Sequence, residues 1–76
     1  MRDEPELSRS QIEELIEEWI LNERDRKILK RRMIDGIAFE PLAEEFDLSV
    51  QRVKMIVYKG KDKLYRHYFD LKINNR

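Results

Sequence analysis

Three pairs of adjacent glutamates and a single histidine are the residues of this chain that could act as acid–base groups or metal ligands. The pairs are Glu13-Glu14, Glu17-Glu18 and Glu44-Glu45, and the histidine is His67. Paired carboxylates can share a proton or hold a hard cation when further ligands or a second acid stand within reach. These pairs fall on the polar faces of predicted helices without such companions, and we interpret them as solvated surface. We predict neither an enzyme, nor a metal site, nor a cofactor site.

The basic residues suggest a different chemistry, which is contact with phosphates. Residues 1–25 carry three basic and nine acidic side chains, and residues 49–76 carry eight basic and two acidic ones, so the two ends have net charges of −6 and +6. This asymmetry indicates nucleic-acid contact through the basic end. Attraction between an acidic first helix and a basic last helix is the alternative, and the two are compatible. Lys59-Gly60-Lys61 lacks the upstream glycine of a phosphate-binding loop, which excludes that motif.

The length and composition allow one small helical domain. The chain has 76 residues, of which 42% are charged, with two glycines, two prolines and no cysteine. Disulfides and thiolate metal sites are therefore excluded. No apolar run approaches the roughly 20 residues that cross a bilayer, and the acidic start does not resemble a signal peptide. We expect a cytoplasmic protein that does not bind membranes.

Apolar spacing and capping residues predict an all-α fold of four helices. Apolar residues recur at helical spacing in four segments that are separated by capping or turn residues. We expect residues 1–7 to form a flexible arm, residues 8–71 to form a single domain, and residues 72–76 to form a loose tail. The helices are expected at approximately 10–21, 23–35, 39–47 and 49–69.

Individual residues mark the ends of these helices. Ser10 and Glu13 fit a capping box at the start of the first helix. Asn22 and Ser49 are favourable caps for the second and fourth helices. Gly36 suits the left-handed conformation that follows a helix end.

The third and fourth helices are separated by a turn of about three residues, which is the spacing of a helix-turn-helix. Asp47 tolerates the positive φ that such a turn requires, and Ala43 is small enough to allow the two helices to approach closely. We expect an earlier helix to brace this pair, and Tyr68 of the last helix to pack on Trp19 and Ile16.

Residues 21–68 resemble region 4 of the sigma-70 family, the helix-turn-helix domain at the C-terminus of bacterial transcription initiation factors. This resemblance implies binding to double-stranded DNA and to RNA polymerase. The residues that carry it are Leu21–Leu29, Asp35-Gly36, Leu42–Ser49, Arg52-Val53-Lys54, Ile56, Lys59 and Lys63-Leu64.

The face of the last helix opposite its apolar line is the predicted DNA-reading surface. A glutamine there can bond an adenine edge, a lysine can bond a guanine, and apolar side chains can touch a thymine methyl group. The predicted base-reading residues are Val50, Gln51, Lys54, Met55 and Tyr58. The predicted phosphate-binding residues are Ser49, Arg52, Lys59, Lys61, Lys63 and Arg66, with Arg31 and Arg32 as additional candidates.

This surface differs from that of promoter-reading relatives. They carry arginine, glutamate, arginine and glutamine where this chain has Val50, Gln51, Lys54 and Met55, so we do not expect it to read the usual −35 promoter element. The family's other DNA-contacting regions do not occur in the sequence. We therefore expect a small stand-alone transcriptional regulator, or a piece of a larger protein.

The alternative function is a protein-interaction module without its own DNA specificity. Tyr65 and Phe69 would then dock RNA polymerase, another regulator or a second copy. No residue pattern marks a dimer interface, so the oligomeric state stays open. A membrane-surface helix is disfavoured because the same helix must supply the core.

Overall fold

The structure, a computed structural model, describes the backbone of residues 6–74 and the side chains of residues 6–70. Within that range the fold is all-α, as predicted, and no strand occurs. Residues 1–5 of the predicted arm and residues 75–76 of the predicted tail lie outside the described residues. The four helices are α1 (Arg9–Trp19), α2 (Glu23–Met33), α3 (Phe39–Phe46) and α4 (Val50–Asn74).

The start of α1 corrects the predicted cap at Ser10. Ser8 is the N-cap: its Oγ accepts a hydrogen bond from the Gln11 backbone N–H (3.2 Å), and its own N–H donates to Gln11 Oε1 (2.8 Å). Leu7 and Ile12 occupy the two positions of a hydrophobic staple around this cap, and both pack against the core. A cap at Ser10 would put a charged residue at the staple position, which explains why the helix is capped by Ser8 and not by Ser10.

The end of α1 is also earlier than the predicted residue 21, because a side chain from α2 takes up its last carbonyls. The Arg26 guanidinium donates to the carbonyl oxygen of Ile20, and its Nη2 donates to that of Glu17 (2.6 Å). Ile20 itself is extended, with φ −104° and ψ 109°. Carbonyls at a helix end need such partners.

The corner between α3 and α4 has the predicted geometry. Asp47 adopts the left-handed conformation, with φ 56° and ψ 47°, and the Leu48 N–H donates to the Ala43 carbonyl (2.9 Å). Ser49 caps α4, since its Oγ accepts from the Arg52 N–H (3.0 Å). These local bonds fix the direction in which α4 leaves the turn.

The core lies where all four helices meet. Gly60 allows the close approach of α4 to α2, because a Cβ atom at this position would lie 2.6 Å from Leu29 Cδ1. The buried apolar residues are Leu15, Ile16, Ile20, Ile28, Leu29, Leu42, Ala43, Val53, Val57 and Leu64.

The contact between α1 and the distal part of α4 includes a stacked pair of rings that was not predicted. The ring that stacks on Trp19 is that of His67, with centroids 3.6 Å apart and planes at 4°. Tyr68 packs against the core and meets the ring of Phe69. The predicted contact of Tyr68 with Trp19 and Ile16 stays a prediction, beside a stacked pair that was not predicted.

Candidate nucleic-acid interface

Helix α4 has one buried and one exposed face along the part that begins at the corner. Val53, Val57, Gly60 and Leu64 form the buried line, at the i, i+4, i+7 and i+11 positions of one helix face. Four of the five predicted base-reading residues are exposed on the other side, namely Gln51, Lys54, Met55 and Tyr58. We call this set the reading strip.

Large apolar side chains are exposed within the reading strip. Tyr58 is 57% exposed and Met55 is 48% exposed. Neither side chain is needed to fill the core, so both are available to a ligand. Together with an amide and an ammonium group they offer the mixture of polar and apolar contacts that base edges require.

Basic residues lie on both flanks of the reading strip. Arg52, Lys59 and Lys63 line a groove of about 400 Å³ on one flank, where α4 faces the junction of α1 and α2. Lys61 lies on the other flank, where it lines a depression with Tyr65. Cations on both sides of a base-reading surface match the two phosphate backbones that border a DNA groove.

Comparison with known families decides what this corner is. The model of the family "Sigma-70, region 4" matches residues 20–66, which is more than half of the chain. The chain belongs to this family. No curated protein and no solved structure matches significantly.

Membership makes α2–α4 a DNA-binding helix-turn-helix of the region 4 type, which is a binding domain and not a catalytic one. Helix α1 ends at Trp19, before the matched residues begin. No helix within the described residues is both long and apolar enough to span a bilayer.

The remaining predicted DNA contacts are Val50, Arg66 and Ser49. Val50 is half-buried and packs against the core, so it lies at the edge of the reading strip. Arg66 is exposed, and its guanidinium bonds the Asp62 carboxylate one turn earlier. A phosphate would have to compete with that carboxylate for Arg66. Ser49 is exposed and still has its hydroxyl hydrogen to donate, since its cap bond uses the oxygen as acceptor.

The two arginines near the end of α2 are engaged within the domain. Arg31 donates to Glu45 (3.0 Å) and to Asp35 (3.4 Å). The hydrogen bond to Glu45 and the charge of that carboxylate raise the pKa of the Arg31 guanidinium. Arg32 donates to the Ile37 carbonyl oxygen (3.0 Å). Both therefore hold α2 to α3 and to the loop between these helices, and a phosphate contact from either remains a prediction.

The aromatic residues of the predicted partner surface are less exposed than their spacing suggested. Tyr65 and Phe69 are both half-buried. Tyr65 packs against the core and lines a depression with Leu7 and Ile12. The chain around the Ser8 cap thus lies beside Tyr65, although Leu7 was predicted to belong to a flexible arm.

Phe39 is a candidate site residue that the sequence does not reveal. Its position as the first residue of α3 indicates only a helix start, but its ring contacts the reading strip. Its centroid lies 5.9 Å from that of Tyr58, with the planes at 81°, and 5.8 Å from Lys54 Nζ. This is a contact between different helices, for which neither periodicity nor capping gives a signal.

Proposed function

We propose that the protein is a transcriptional regulator that binds double-stranded DNA with a sequence preference, by placing α4 in the major groove. The observation that carries this proposal is the exposed reading strip between two basic flanks. The major groove is about 12 Å wide and admits one helix. The turn at Asp47 leads into α4, whose first turns pack Val53 and Val57 on the core and leave Gln51 and Lys54 exposed on the other side, where they can enter the major groove.

The chemistry of the reading strip supports discrimination among bases. The Gln51 amide can donate to N7 and accept from N6 of adenine, and the Lys54 ammonium can donate to O6 and N7 of guanine. The Met55 side chain provides apolar contact for a thymine methyl group. Val50, at the edge of the strip, can add a similar contact.

The flanking cations support the non-specific part of the affinity. Phosphate contacts release counterions, so the logarithm of affinity falls with the logarithm of salt concentration by about 0.9 for each neutralised phosphate. The flank of α4 that faces the junction of α1 and α2 offers Arg52, Lys59 and Lys63. The opposite flank offers Lys61. We therefore expect a salt slope of about 3 to 4 from these residues.

Selection from random-sequence duplex DNA at two salt concentrations tests this proposal. We expect salt-sensitive binding and an enriched motif that spans the few base pairs within reach of the strip. Salt-sensitive binding without a motif would reduce the protein to a general DNA-binding module. Absence of binding at low salt would contradict groove reading altogether.

Substitution of Lys54 by alanine tests the base contact. We expect Lys54→Ala to reduce discrimination at one base pair, at a cost of about 1–3 kcal/mol. Arg9→Ala is the matched control, because it removes an equal charge from an exposed residue of α1. An equal effect of the two substitutions would show that only overall charge matters.

Binding of RNA polymerase or another regulator through Tyr65 and Phe69 is the second proposed function. Both side chains are half-buried, so each is less exposed than Tyr58 of the reading strip. If Phe69→Ala abolished activity in transcription while Lys54→Ala had no effect, this second function would replace the first.

A further inference from the structure

The ring of Phe39 lies at the centre of a cluster that joins three helices. The Arg32 guanidinium carbon of α2 lies 4.1 Å from the ring centre, and Lys54 Nζ of α4 lies 5.8 Å from it. Tyr58 presents its ring at 81° to that of Phe39. Two of these three partners belong to the reading strip, so the cluster connects the body of the domain to the proposed DNA contact.

We propose that Phe39 is a specificity-determining positioning residue, whose ring holds Lys54 and Tyr58 in the directions from which they read base edges. This inference rests on the proposed function. It assigns to α3 a role in sequence preference that does not require α3 to touch a base.

The two side chains need such a support. Lys54 and Tyr58 are separated by one helical turn on the exposed face of α4, and the core does not restrict their rotamers. A lysine ammonium on its four-carbon stem loses considerable freedom when it is fixed by a ligand. A ring face attracts the ammonium, and a ring edge directed at another ring sets the direction of the second aromatic side chain. Part of the ordering is thus completed before DNA arrives.

The ring is itself held from the side of α2. Arg32 lies over Phe39 while its Nη1 donates to the Ile37 carbonyl oxygen (3.0 Å) in the loop that leads to α3. The start of α3 has no side-chain cap, because Ala38 occupies the cap position. The Arg32 contact therefore fixes the ring at a helix end that would otherwise be weakly defined.

The first test uses the protein without DNA. In NMR spectra we expect the Lys54 ε-protons and the Arg32 δ-protons to resonate upfield in the wild type, and to lose this ring-current shift in Phe39→Leu. Phe46→Leu is the matched control, since Phe46 lies at the other end of α3 and also packs against the core. Melting temperatures would confirm that both variants fold.

The second test measures discrimination among duplexes. Using the selected motif, each base pair is replaced in turn, and the affinities of wild type, Phe39→Leu, Phe39→Tyr and Phe46→Leu are compared. We expect Phe39→Leu to reduce discrimination by about 3- to 10-fold at the pairs that Lys54 and Tyr58 read, with an unchanged salt slope. Phe39→Tyr keeps the aromatic ring and should retain the wild-type profile.

The outcomes separate this inference from the proposed function. If the Lys54 resonances of Phe39→Leu were the same as those of the wild type, the inference would be overturned, whether or not the protein binds DNA. A uniform loss of affinity across all duplexes, or an equal effect of Phe46→Leu, would also overturn it, because the ring would then be merely structural. A wild type that shows the ring-current shift but binds no duplex would support the positioning contact and contradict the proposed function.

Discussion

The corner between α3 and α4 and the attachment of α1 are held by different kinds of interaction. At the corner, Asp47 and Ser49 make local backbone turns and caps over a buried Leu42. The attachment of α1 relies on residues that are distant in the chain: Lys30 bonds the Glu17 carboxylate from 13 positions away. The corner is thus specified by a short run of sequence, and the position of α1 by long-range contacts.

This difference matches the extent of the family resemblance. The region 4 match includes the whole corner and begins only at residue 20, after α1 has ended. Helix α1 nevertheless contributes Leu15 and Ile16 to the same core as α2 and α4. We infer that α1 acts as a cover for the apolar residues beneath the helix-turn-helix, and that the corner acts as the reading element.

The largest expected effects come from truncating one buried residue of α1 and one at the corner, which tests whether both regions belong to the same core. Ile16 and Leu42 are both fully buried. We expect Ile16→Ala and Leu42→Ala each to lower the free energy of unfolding by about 2–5 kcal/mol, because each leaves a cavity. Urea unfolding measures this. A loss below about 1 kcal/mol for Ile16→Ala would show that α1 is an appendage and not a part of the core.

Substitutions of Asp47 that change its backbone preference should have an intermediate effect, and they test whether local conformation holds the corner. Asp47 has φ 56°, where a β-branched residue is strained. We expect Asp47→Val to destabilise the domain by about 1–2 kcal/mol, whereas Asp47→Gly should lose less than about 1 kcal/mol. Thermal unfolding of both variants measures this. Equal losses would show that the aspartate side chain, and not the backbone conformation, holds the corner.

Local signals in the sequence were sufficient to predict the corner and, to within one residue, the starts of the four helices. The ends were predicted less well, since α2 ends at Met33 and not at residue 35, and α4 extends to Asn74 and not only to residue 69. Asn22, Gly36, Asp47 and Ser49 occupy the predicted caps and turns. The start of α1 is less well determined by local sequence, because two serines two residues apart both fit a capping pattern. The hydrogen bonds between Ser8 and Gln11, together with the packing of Leu7 on the core, identify Ser8 as the cap.

The proposed site was predictable to the extent that it depends on helix periodicity. The wheel of α4 placed Gln51, Met55 and Tyr58 on the exposed face, where the structure has them. It could not show that Phe39 supports this face, or that Arg66 is paired with Asp62. The first depends on how α3 packs across α4. The second depends on which of several nearby charges the arginine selects.

The smallest expected effect is a pH dependence that is confined to the attachment of α1. The hydrogen bond and charge of Lys30, with a smaller contribution from Arg26, lower the pKa of Glu17 below its ordinary value of 4.5. A carboxylate whose pKa is lower in the folded state stabilises that state above its unfolded pKa, and this contribution disappears as the pH falls through the folded pKa. Glu17→Gln should therefore lower the melting temperature at neutral pH by a few degrees at most, since the pair is exposed. The difference from wild type should vanish in acid.

The single tryptophan makes this measurable, because Trp19 lies at the end of α1 against His67 of α4. Melting curves followed by Trp19 fluorescence, at about pH 7 and about pH 3, would compare wild type with Glu17→Gln. Glu18→Gln is the matched control, since Glu18 makes no ion pair within the described residues. A difference that persists in acid would mean that Glu17 acts through its size or helix propensity and not through its charge. A difference that disappears would show that the charge of Glu17 adds to the buried apolar contacts that hold α1, whereas the corner depends on backbone conformation and buried apolar contacts alone.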